Sequence, residues 1–141
     1  PSTAADLSVT SLKAALTTFR GTTDDQGLKL ILTPSILWVS ATDEWLADEL
    51  LHSTNRPHTA DNEINVLRNK LEPFVWDYLT DTDAWGLLSA KSQHKLKFYN
   101  RMPVKTDASD DFDTKDGKFS VICRITAGYS DWKGTYGSPG I

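Results

Sequence analysis

The first apolar positions of the chain recur at helical spacing. Between Asp6 and Arg20 they fall at Leu12, Ala15, Leu16 and Phe19, and Gly21 follows directly. A spacing of three and four residues places these side chains on one face of a helix, and glycine is a common residue at a helix end. We therefore predict an amphipathic helix from Asp6 to Arg20 that ends at Gly21.

The stretch from Leu28 to Ser53 is predicted to be the centre of the core. Its first part, Leu28–Leu32, is a short branched apolar run of the kind found in buried strands. Thr33 and Pro34 then suit the cap and first turn of a helix. From Ile36 onward apolar residues recur at helical spacing and include Trp38 and Trp45. This pattern predicts one strand followed by one amphipathic helix that buries two indole rings.

Three further runs indicate strands. The run 71–79 contains Pro73, which restricts it to a sheet edge, a strand start or a bulge. A turn at 80–83 leads to a returning strand at 84–88. Residues 95–99 alternate between charged and apolar side chains, which is typical of a half-buried strand. Together these runs predict an antiparallel sheet rich in hairpins.

The last third of the chain contains the clearest strand pattern. Asp116-Gly117 is a hairpin turn signal, and 118–125 alternates so that Phe119, Val121, Cys123 and Ile125 share one face. On this pattern Cys123 is expected to be buried and chemically inert. The segment 53–62 is predicted to be an exposed loop, and the final glycine-rich residues, Gly137–Gly140, a tail or linker.

Composition limits the class of protein. The 141 residues are 39% hydrophobic and 24% charged, which predicts one globular domain of ordinary size over 1–141. A formal charge of −4 argues against a strongly basic nucleic-acid binder. No apolar run reaches the roughly 20 residues of a membrane helix, and residues 1–6 do not resemble a signal peptide. The lone cysteine fits a reducing compartment, and a proline at position 1 suggests a processed chain or a piece of a longer one.

Candidate catalytic and metal-binding groups are few. His52, His58 and Asp61 form one histidine–carboxylate cluster, but their spacing matches no familiar metal site. The aspartates between Asp107 and Asp116 invite a calcium interpretation, yet that loop lacks the glycine and glutamate of a calcium-binding loop. The chain has no G-x-S-x-G turn around Ser138, and His94 has no obvious catalytic partner. Simple solvated loops therefore explain these residues better than chemistry does, and no cofactor or small-molecule substrate is predicted.

Five segments, taken in order, resemble the Mu-like major head subunits of tailed phages. Lys29–Pro34 resembles K-x-L-L-x-P, Glu49–Leu51 is E-L-L, and Asn65–Glu72 resembles N-x-L-R-x-x-L-E. Leu79–Leu88 resembles L-x-D-x-x-A-W-x-L-L, and Asp131–Tyr136 resembles D-W-R-G-x-Y with Lys133 in place of the usual arginine. The likeness extends over roughly residues 8–137. The chain is about half the length of such subunits and lacks a match to their amino-terminal arm and extended loop, so it is expected to be their carboxy-terminal half.

The resemblance implies a phage major capsid fold of the α+β class, with a central, mainly antiparallel sheet flanked by helices. Residues 28–137 would be the axial domain, residues 6–21 the end of the spine helix, and the loop 53–62 would face a ring axis. The implied function is structural: copies of the full-length subunit form pentamers and hexamers that tile a shell around packaged DNA. Without the interlocking arm the chain itself is expected to be a monomer or a weak oligomer. The implied location is the virion capsid, and the host cytoplasm during assembly.

Four residues near the end of the chain are our candidates for contacts between subunits. Trp132 stands beside a glycine and between two charged residues, where an aromatic side chain often anchors a contact. The D-W-R-G-x-Y resemblance adds its neighbours, so the candidates are Asp131, Trp132, Lys133 and Tyr136. Lysine at position 133 lacks the bidentate geometry of arginine, so a carboxylate contact there would be weaker.

Two other functional classes remain open at this point. A small hydrolase or metal-dependent enzyme would use His52, His58 and nearby aspartates, and it predicts a concave pocket with perturbed titratable groups. A nucleic-acid or peptide-binding module would use exposed tryptophans in a basic or aromatic groove. A capsid subunit instead predicts large exposed apolar patches.

Overall fold

The structure is a computed structural model that describes residues 4–59 and 63–141. The chain forms two compact units, one made of Pro1–His94 with Trp132–Ile141 and the other of Lys95–Asp131. The first unit contains helices α1 (Val9–Arg20) and α2 (Glu44–His52), a short 3-10 helix (Ala41–Asp43), and strands β1 (Pro34–Val39), β2 (Glu72–Val75), β3 (Trp85–Ser89) and β6 (Thr135–Ser138). The second unit contains strands β4 (Leu96–Asp110) and β5 (Gly117–Tyr129).

Helix α1 confirms the first prediction with a shifted start. Ser8 is the N-cap: its hydroxyl accepts from the backbone N–H of Ser11, and the Ser11 hydroxyl accepts from the backbone N–H of Ser8. This reciprocal pair satisfies two amides that the first turn would leave without partners. The helix ends at Gly21, and its buried face carries Leu12, Ala15 and Phe19.

The prediction for 28–53 is wrong in its first half. Leu28–Leu32 is not a strand, because Gly27 turns the chain with φ +80° and Lys29 pairs with Thr23 in a single bridge. Leu28 is 65% exposed and Ile31 is 92% exposed. The buried strand is β1, which begins at Pro34 and buries Leu37 and Val39 on one face. Four apolar residues in a row at 36–39 fit a strand as well as a helix, so periodicity alone did not separate the two.

Helix α2 is confirmed only from Glu44 onward, and its tryptophan is exposed. The helix buries Ala47, Leu50 and Leu51. Trp45 precedes Ala47 by two positions, which places it about 200° around the helix from that residue. Its side chain is therefore 79% exposed rather than part of the core.

The four strands of the first unit form one mixed sheet in the order β2-β1-β3-β6. Strand β2 is parallel to β1, whereas β1–β3 and β3–β6 are antiparallel. Pro73 lies in the edge strand β2, one of the positions predicted for it. The predicted hairpin between β2 and β3 is absent, because β1 lies between them. The mixed α and β class with a mainly antiparallel sheet is confirmed.

The hydrophobic core lies on one face of this sheet. In the strand register Leu37 is opposite Leu87, Val39 is opposite Trp85, and Leu87 is opposite Tyr136, so all five side chains point the same way. Both helices pack on that face through their buried side chains. The core is Leu7, Leu12, Ala15, Phe19, Leu37, Val39, Ala47, Leu50, Leu51, Leu67, Leu71, Trp85, Leu87 and Tyr136.

The end of the chain is part of the fold, so the predicted tail is wrong. Strand β6 pairs with β3 and buries Tyr136 and Ser138. The Ser138 hydroxyl donates to the carbonyl of Ala5 at 2.8 Å and accepts from its N–H at 3.1 Å. The backbone N–H of Ile141 donates to the Asp6 carboxylate at 3.1 Å. Added Cβ atoms would meet the Ser89 hydroxyl at 2.7 Å at Gly134 and the Asp83 carboxylate at 2.5 Å at Gly140, so these two glycines allow close packing where composition alone suggests flexibility.

The loop after α2 is partly described, since residues 60–62 lie outside the described ranges. Arg56 and Glu63 form an ion pair at 2.9 Å, and Asn55 bridges to Ile64. Asn65 is buried and donates to the Leu50 carbonyl at 2.8 Å, which satisfies an acceptor at the end of α2. The described part of the loop is mostly exposed, as predicted.

The second unit is a long antiparallel ribbon of two strands. Strands β4 and β5 pair from Leu96–Tyr129 to Asp110–Gly117, with two register shifts between Asn100 and Lys105. At its base the Ser130 N–H donates to the Lys95 carbonyl at 3.1 Å. Residues 95–99 and Cys123 are exposed, so their predicted burial is wrong. Neither of the two helices in the described residues is long and apolar enough to cross a membrane.

Candidate functional site

One face of the β4–β5 ribbon is apolar along its length. Residues directly opposite each other in a pair of strands share a face, so the register assigns Phe98 with Ala127 and Ala108 with Phe119 to the same side. The alternation of β5 places its odd-numbered residues there as well. The face carries Leu96, Phe98, Ala108, Phe119, Val121, Cys123, Ile125, Ala127 and Tyr129, with the uncharged polar side chains of Asn100 and Thr106 between them and Asp110 at the turn, and we call it the apolar face.

The other face of the ribbon is mixed and carries most of its charge. It contains Lys97, Lys105, Lys118 and Arg124 beside Tyr99 and Ile122. We call residues 96–106 and 117–129 the shaft; it has five basic side chains and no acidic one. The remaining residues 107–116 form the tip, with five aspartates and one lysine. The ribbon is therefore basic along the shaft and acidic at the tip.

The apolar face of the ribbon is open to solvent within this chain. Phe119 is 84% exposed, and Val121 and Ile125 are more than half exposed. An isolated pair of strands is only marginally stable in water, and a contiguous exposed apolar patch usually marks an interaction surface. This geometry favours a protein surface as the cover of the ribbon.

The sheet of the first unit has a second apolar face, opposite the core. Trp38 lies on that face over Gly86 and Gly137, where an added Cβ would meet its ring at 2.5 Å and 3.8 Å respectively. Trp76 packs edge-on against Trp38 with ring centroids 6.4 Å apart, and Phe74 is opposite Trp38 in the neighbouring strand. Phe74 and Trp76 are each about half exposed. We call this surface, formed by Ile36, Trp38, Phe74, Trp76, Leu88 and Thr135, the open face of the sheet.

The four candidates for subunit contacts occupy different environments. Trp132 is half exposed, whereas Asp131 is partly buried. Tyr136 is 5% exposed and packs on Trp85 at 6.0 Å between ring centroids, so its ring belongs to the core of its own chain. Lys133 donates to Asp24 at 2.6 Å and lies 3.3 Å from Asp25. A role for these residues between subunits stays a prediction.

The Lys133–Asp24 ion pair makes the stability of the fold depend on pH. The hydrogen bond from Lys133 holds the pKa of Asp24 below its usual value of 3.8, helped by the Asp25 N–H and the lysine charge. A carboxylate with a lowered pKa in the folded state contributes stability above its ordinary pKa, and that contribution is lost as the pH falls through the lowered value. We expect Lys133→Met to lower the melting temperature at pH 7, and we expect this difference to shrink as the pH falls below 3.8.

Lys133→Arg is the matched control, because it keeps a positive charge beside Asp24 and should retain most of the stability at pH 7. Thermal melts of the three proteins between pH 2 and pH 7 measure the effect. If the difference in melting temperature between Lys133→Met and the other two proteins were the same at every pH in this range, the role of the Lys133–Asp24 pair in stability would be contradicted.

The structure does not bring the predicted histidine cluster together. His52 contacts Asp48 at 2.5 Å, and His58 lies 3.7 Å from Glu49, so each ring has a different carboxylate partner from α2. Both histidines are exposed, and Asp61 lies outside the described residues. Within residues 4–59 and 63–141 no group of three or more histidine, cysteine or acidic side chains is placed to hold a metal ion.

The predicted acidic segment is the solvated tip of the ribbon. Asp111 accepts from Lys118, and this bond is the main reason that the pKa of Asp111 lies below its ordinary value. The backbone of Asp111 bonds to that of Asp116 and Lys115, and Lys115 lies 4.4 Å above the ring of Phe112. These contacts close the turn of the ribbon.

A second set of aspartates adds negative charge to the first unit. Partial burial raises the pKa of Asp43, and the charges of Asp83 and Asp6 raise it further. A hydrogen bond with the Asp83 side chain raises the pKa of Asp81. These carboxylates lie close to one another, and their mutual repulsion contributes to both pKa shifts.

Ser138 and His94, the remaining candidates for nucleophilic chemistry, have structural environments. The Ser138 hydroxyl is buried and bonded to the backbone of Ala5. His94 begins the passage into the ribbon, and its N–H donates to Ala90 at 3.2 Å. This arrangement gives no support to a serine hydrolase.

Sequence reasoning missed both apolar surfaces. The alternation at 118–125 predicts β5, whereas the register shifts between Asn100 and Lys105 interrupt the alternation of β4, and the lack of acidic residues in the shaft was the remaining signal. The open face has no comparable signal, because it forms only when Phe74 is brought beside Trp38 by a parallel pairing. The pair Asp24–Lys133 joins residues 109 positions apart and has none either.

Comparison with known proteins gives one result. The family model described as phage capsid protein matches residues 1–138. No curated protein and no solved structure matches the chain significantly. The match covers nearly the whole sequence and agrees with a fold whose most prominent features are exposed apolar surfaces. The chain belongs to the phage capsid protein family.

Proposed function

We propose that the chain is a shell-forming subunit whose copies associate into the pentamers and hexamers of a capsid around the phage genome. Family membership gives the chain its structural role in a capsid. The single observation that supports self-association is the apolar face of the β4–β5 ribbon, which is exposed along its length. An apolar surface of this extent is costly in water unless another protein surface covers it.

The same surface is suited to repeated contacts. A contact between two different patches on identical subunits leaves the resulting pair with one patch of each kind, so further copies can add at both ends. Such contacts close into rings when the rotation angle that relates neighbouring subunits is a whole-number fraction of a full turn. The function then requires shape and surface rather than a reactive group, and packaged DNA is enclosed by the shell rather than bound at a dedicated site.

The finer assignment follows the resemblance to Mu-like head subunits. In this proposal residues 28–137 correspond to the axial domain of a phage major capsid fold, and α1 to the end of the spine helix. Trp132 remains the candidate among the four predicted contact residues with an exposed ring. Assembly would take place in the host cytoplasm before the subunit becomes part of the virion capsid.

Sedimentation of the purified chain over a concentration series tests this proposal. We expect the mean mass to rise with concentration and to reach that of rings of five or six chains, which electron microscopy would identify. High salt should strengthen the association or leave it unchanged if apolar contacts dominate it, since salt screens only the charged contacts. A chain that stays monomeric at every salt and crowding condition contradicts the proposal.

A further inference from the structure

The chain has two exposed apolar surfaces, the apolar face of the ribbon and the open face of the sheet, and together they support an inference that rests on the proposed function. We infer that the apolar face of the ribbon of one copy packs on the open face of the sheet of a second copy. The contact joins Phe119, Val121, Cys123 and Ile125 of one subunit to the surface around Trp38 and Phe74 of the next.

The dimensions of the two surfaces fit. Four strands spaced about 4.8 Å apart span about 14 Å, and the longer strand segment of the shaft extends over about 40 Å at 3.3 Å per residue. The ribbon is therefore long enough to cross all four strands. Sheet faces pack closely when small and large residues alternate, and the glycines at 86 and 137 leave Trp38 as the large side chain in the middle of the open face.

Charge selects which part of the ribbon can dock. The first unit contains thirteen acidic and eight basic residues, and Glu72 and Asp77 stand beside the aromatic residues of the open face. The shaft has only positive charges, so the field of the first unit attracts it, whereas the tip with its five aspartates is repelled. Complementary charge thus places the shaft, and not the tip, on the sheet of the neighbour.

Because the shaft is basic, nucleic acid is the alternative to a second copy as the partner of the ribbon. The basic side chains Lys97, Lys105, Lys118 and Arg124 lie on the mixed face, and none of the residues that the strand register assigns to the apolar face is basic; Arg101 lies at the register shift between Asn100 and Met102. A nucleic-acid surface needs cations beside its aromatic residues. The apolar face lacks them, so a second copy of the chain is the occupant that its chemistry fits.

The inferred contact has a direction. The ribbon of one subunit is donated and the sheet of the other receives it, so the contact is heterologous. The two end subunits of a growing assembly keep an open sheet and an open ribbon until a ring closes. A dimer made by two identical ribbon faces would instead end with two chains.

The native cysteine makes this contact directly testable. Cys123 is the only cysteine of the chain and is exposed on the apolar face of the ribbon. We would place a second cysteine on the open face, as Phe74→Cys at one edge of the sheet and Thr135→Cys at the other, and oxidise each protein gently. At least one of the two should give a ladder of covalent dimers, trimers and larger species that disappears when Cys123→Ser is added.

Trp45→Cys is the matched control, because it also replaces an exposed aromatic residue but lies on α2, away from the open face. It should give no ladder beyond a dimer. The inference is overturned if both open-face variants behave like this control, if their bond forms within one chain, or if the unchanged protein already forms Cys123–Cys123 dimers in full yield.

A second pair of variants separates the two faces of the ribbon. Val121→Glu places a charge on the apolar face, and Ile122→Glu places the same charge one residue away on the mixed face. Sedimentation should show association weakened at least about tenfold by Val121→Glu and much less by Ile122→Glu, as expected for a charge at the centre of an interface.

The outcomes distinguish this inference from the proposed function. If the unchanged chain assembles and Val121→Glu assembles equally well, the ribbon contact is wrong and the capsid proposal stands. If only charge reversal at Lys118 and Arg124 has an effect, and that effect is loss of DNA binding, the ribbon is a nucleic-acid surface. If the unchanged chain neither associates nor forms a ladder, both proposals fail.

Discussion

Replacing Trp85 by alanine is expected to lower the free energy of unfolding by about 3–5 kcal/mol, the range for large aromatic residues removed from a core. Trp85 is 1% exposed, and its ring packs on Tyr136 across the β3–β6 pair. Its indole N–H donates to the carbonyl of Ala5 at 2.8 Å. The substitution therefore opens a cavity and removes a hydrogen bond that fixes the start of the chain.

Trp45→Ala is the matched control, because the chemical change is the same and the side chain is 79% exposed. Its effect should stay within about 0.5 kcal/mol, as for most surface substitutions. Urea unfolding followed by far-ultraviolet circular dichroism measures both, since that signal does not depend on the removed indole. Similar losses in the two variants would contradict the placement of Trp85 in the core and Trp45 on the surface.

Trp85→Phe separates packing from hydrogen bonding. Phenylalanine fills much of the same volume but leaves the Ala5 carbonyl without the indole donor. The Ser138 hydroxyl also donates to that oxygen, so the carbonyl retains one partner. We expect a smaller loss than for alanine, made of the volume difference and about 1 kcal/mol for the hydrogen bond.

Gly86→Ala is expected to be the second most damaging substitution. An added Cβ would lie deep inside van der Waals contact with the Tyr136 carbonyl oxygen and 2.5 Å from the Trp38 ring. The carbonyl belongs to the paired strand β6, so relief requires the backbone to move and not only a side chain. Overpacking of this kind costs about 1–3 kcal/mol or more, and we expect the upper part of that range.

Gly128→Ala serves as its control, because no atom lies within 4 Å of the added Cβ in β5. Alanine also has a slightly better strand propensity than glycine, so this control should be neutral or mildly stabilising. Combining Gly86→Ala with Trp38→Leu should recover only part of the loss, since the clash with the carbonyl remains. Full recovery would show that the indole is the sole obstacle.

The sequence predicted those elements whose signals are local. The apolar spacing and the glycine end of helix α1 lie close together in the sequence, and both are confirmed, whereas the cap at Ser8 that sets its start was not predicted. The edge position of β2 is one of the three that Pro73 left open, since proline cannot donate a hydrogen bond to a neighbouring strand. Strand β5 followed from strict alternation after a turn signal.

The failures occurred where two structures satisfy the same local pattern. Residues 36–39 fit a helix or a strand, and only the neighbours β2 and β3 decide for the strand. The glycine-rich end resembled a tail, although its glycines permit the close approach of β6 to β3 and Trp38. Cys123 and its neighbours were expected in the core because alternation shows that a strand has an apolar face, without showing which molecule covers it.

The candidate site was predicted less well than the fold. Trp132 is exposed as expected, but Tyr136 is a core residue and Lys133 has partners at Asp24 and Asp25 in its own chain. The open face arises from strands far apart in sequence, so no single motif contains it. Its prediction requires the strand order, which no local pattern in the sequence contains.

The hydrogen bond between Ser130 and Lys95 at the base of the ribbon has a consequence for how this protein can diverge. The chain leaves β3 and returns toward β6 through neighbouring positions, so insertions and deletions in the ribbon leave the topology of the sheet intact. Loss of two residues from each strand shortens the ribbon and preserves its sidedness, whereas loss of one residue from each exchanges the faces. Length variation among related chains should therefore occur in even steps per strand, and an engineered peptide is best inserted at the acidic turn.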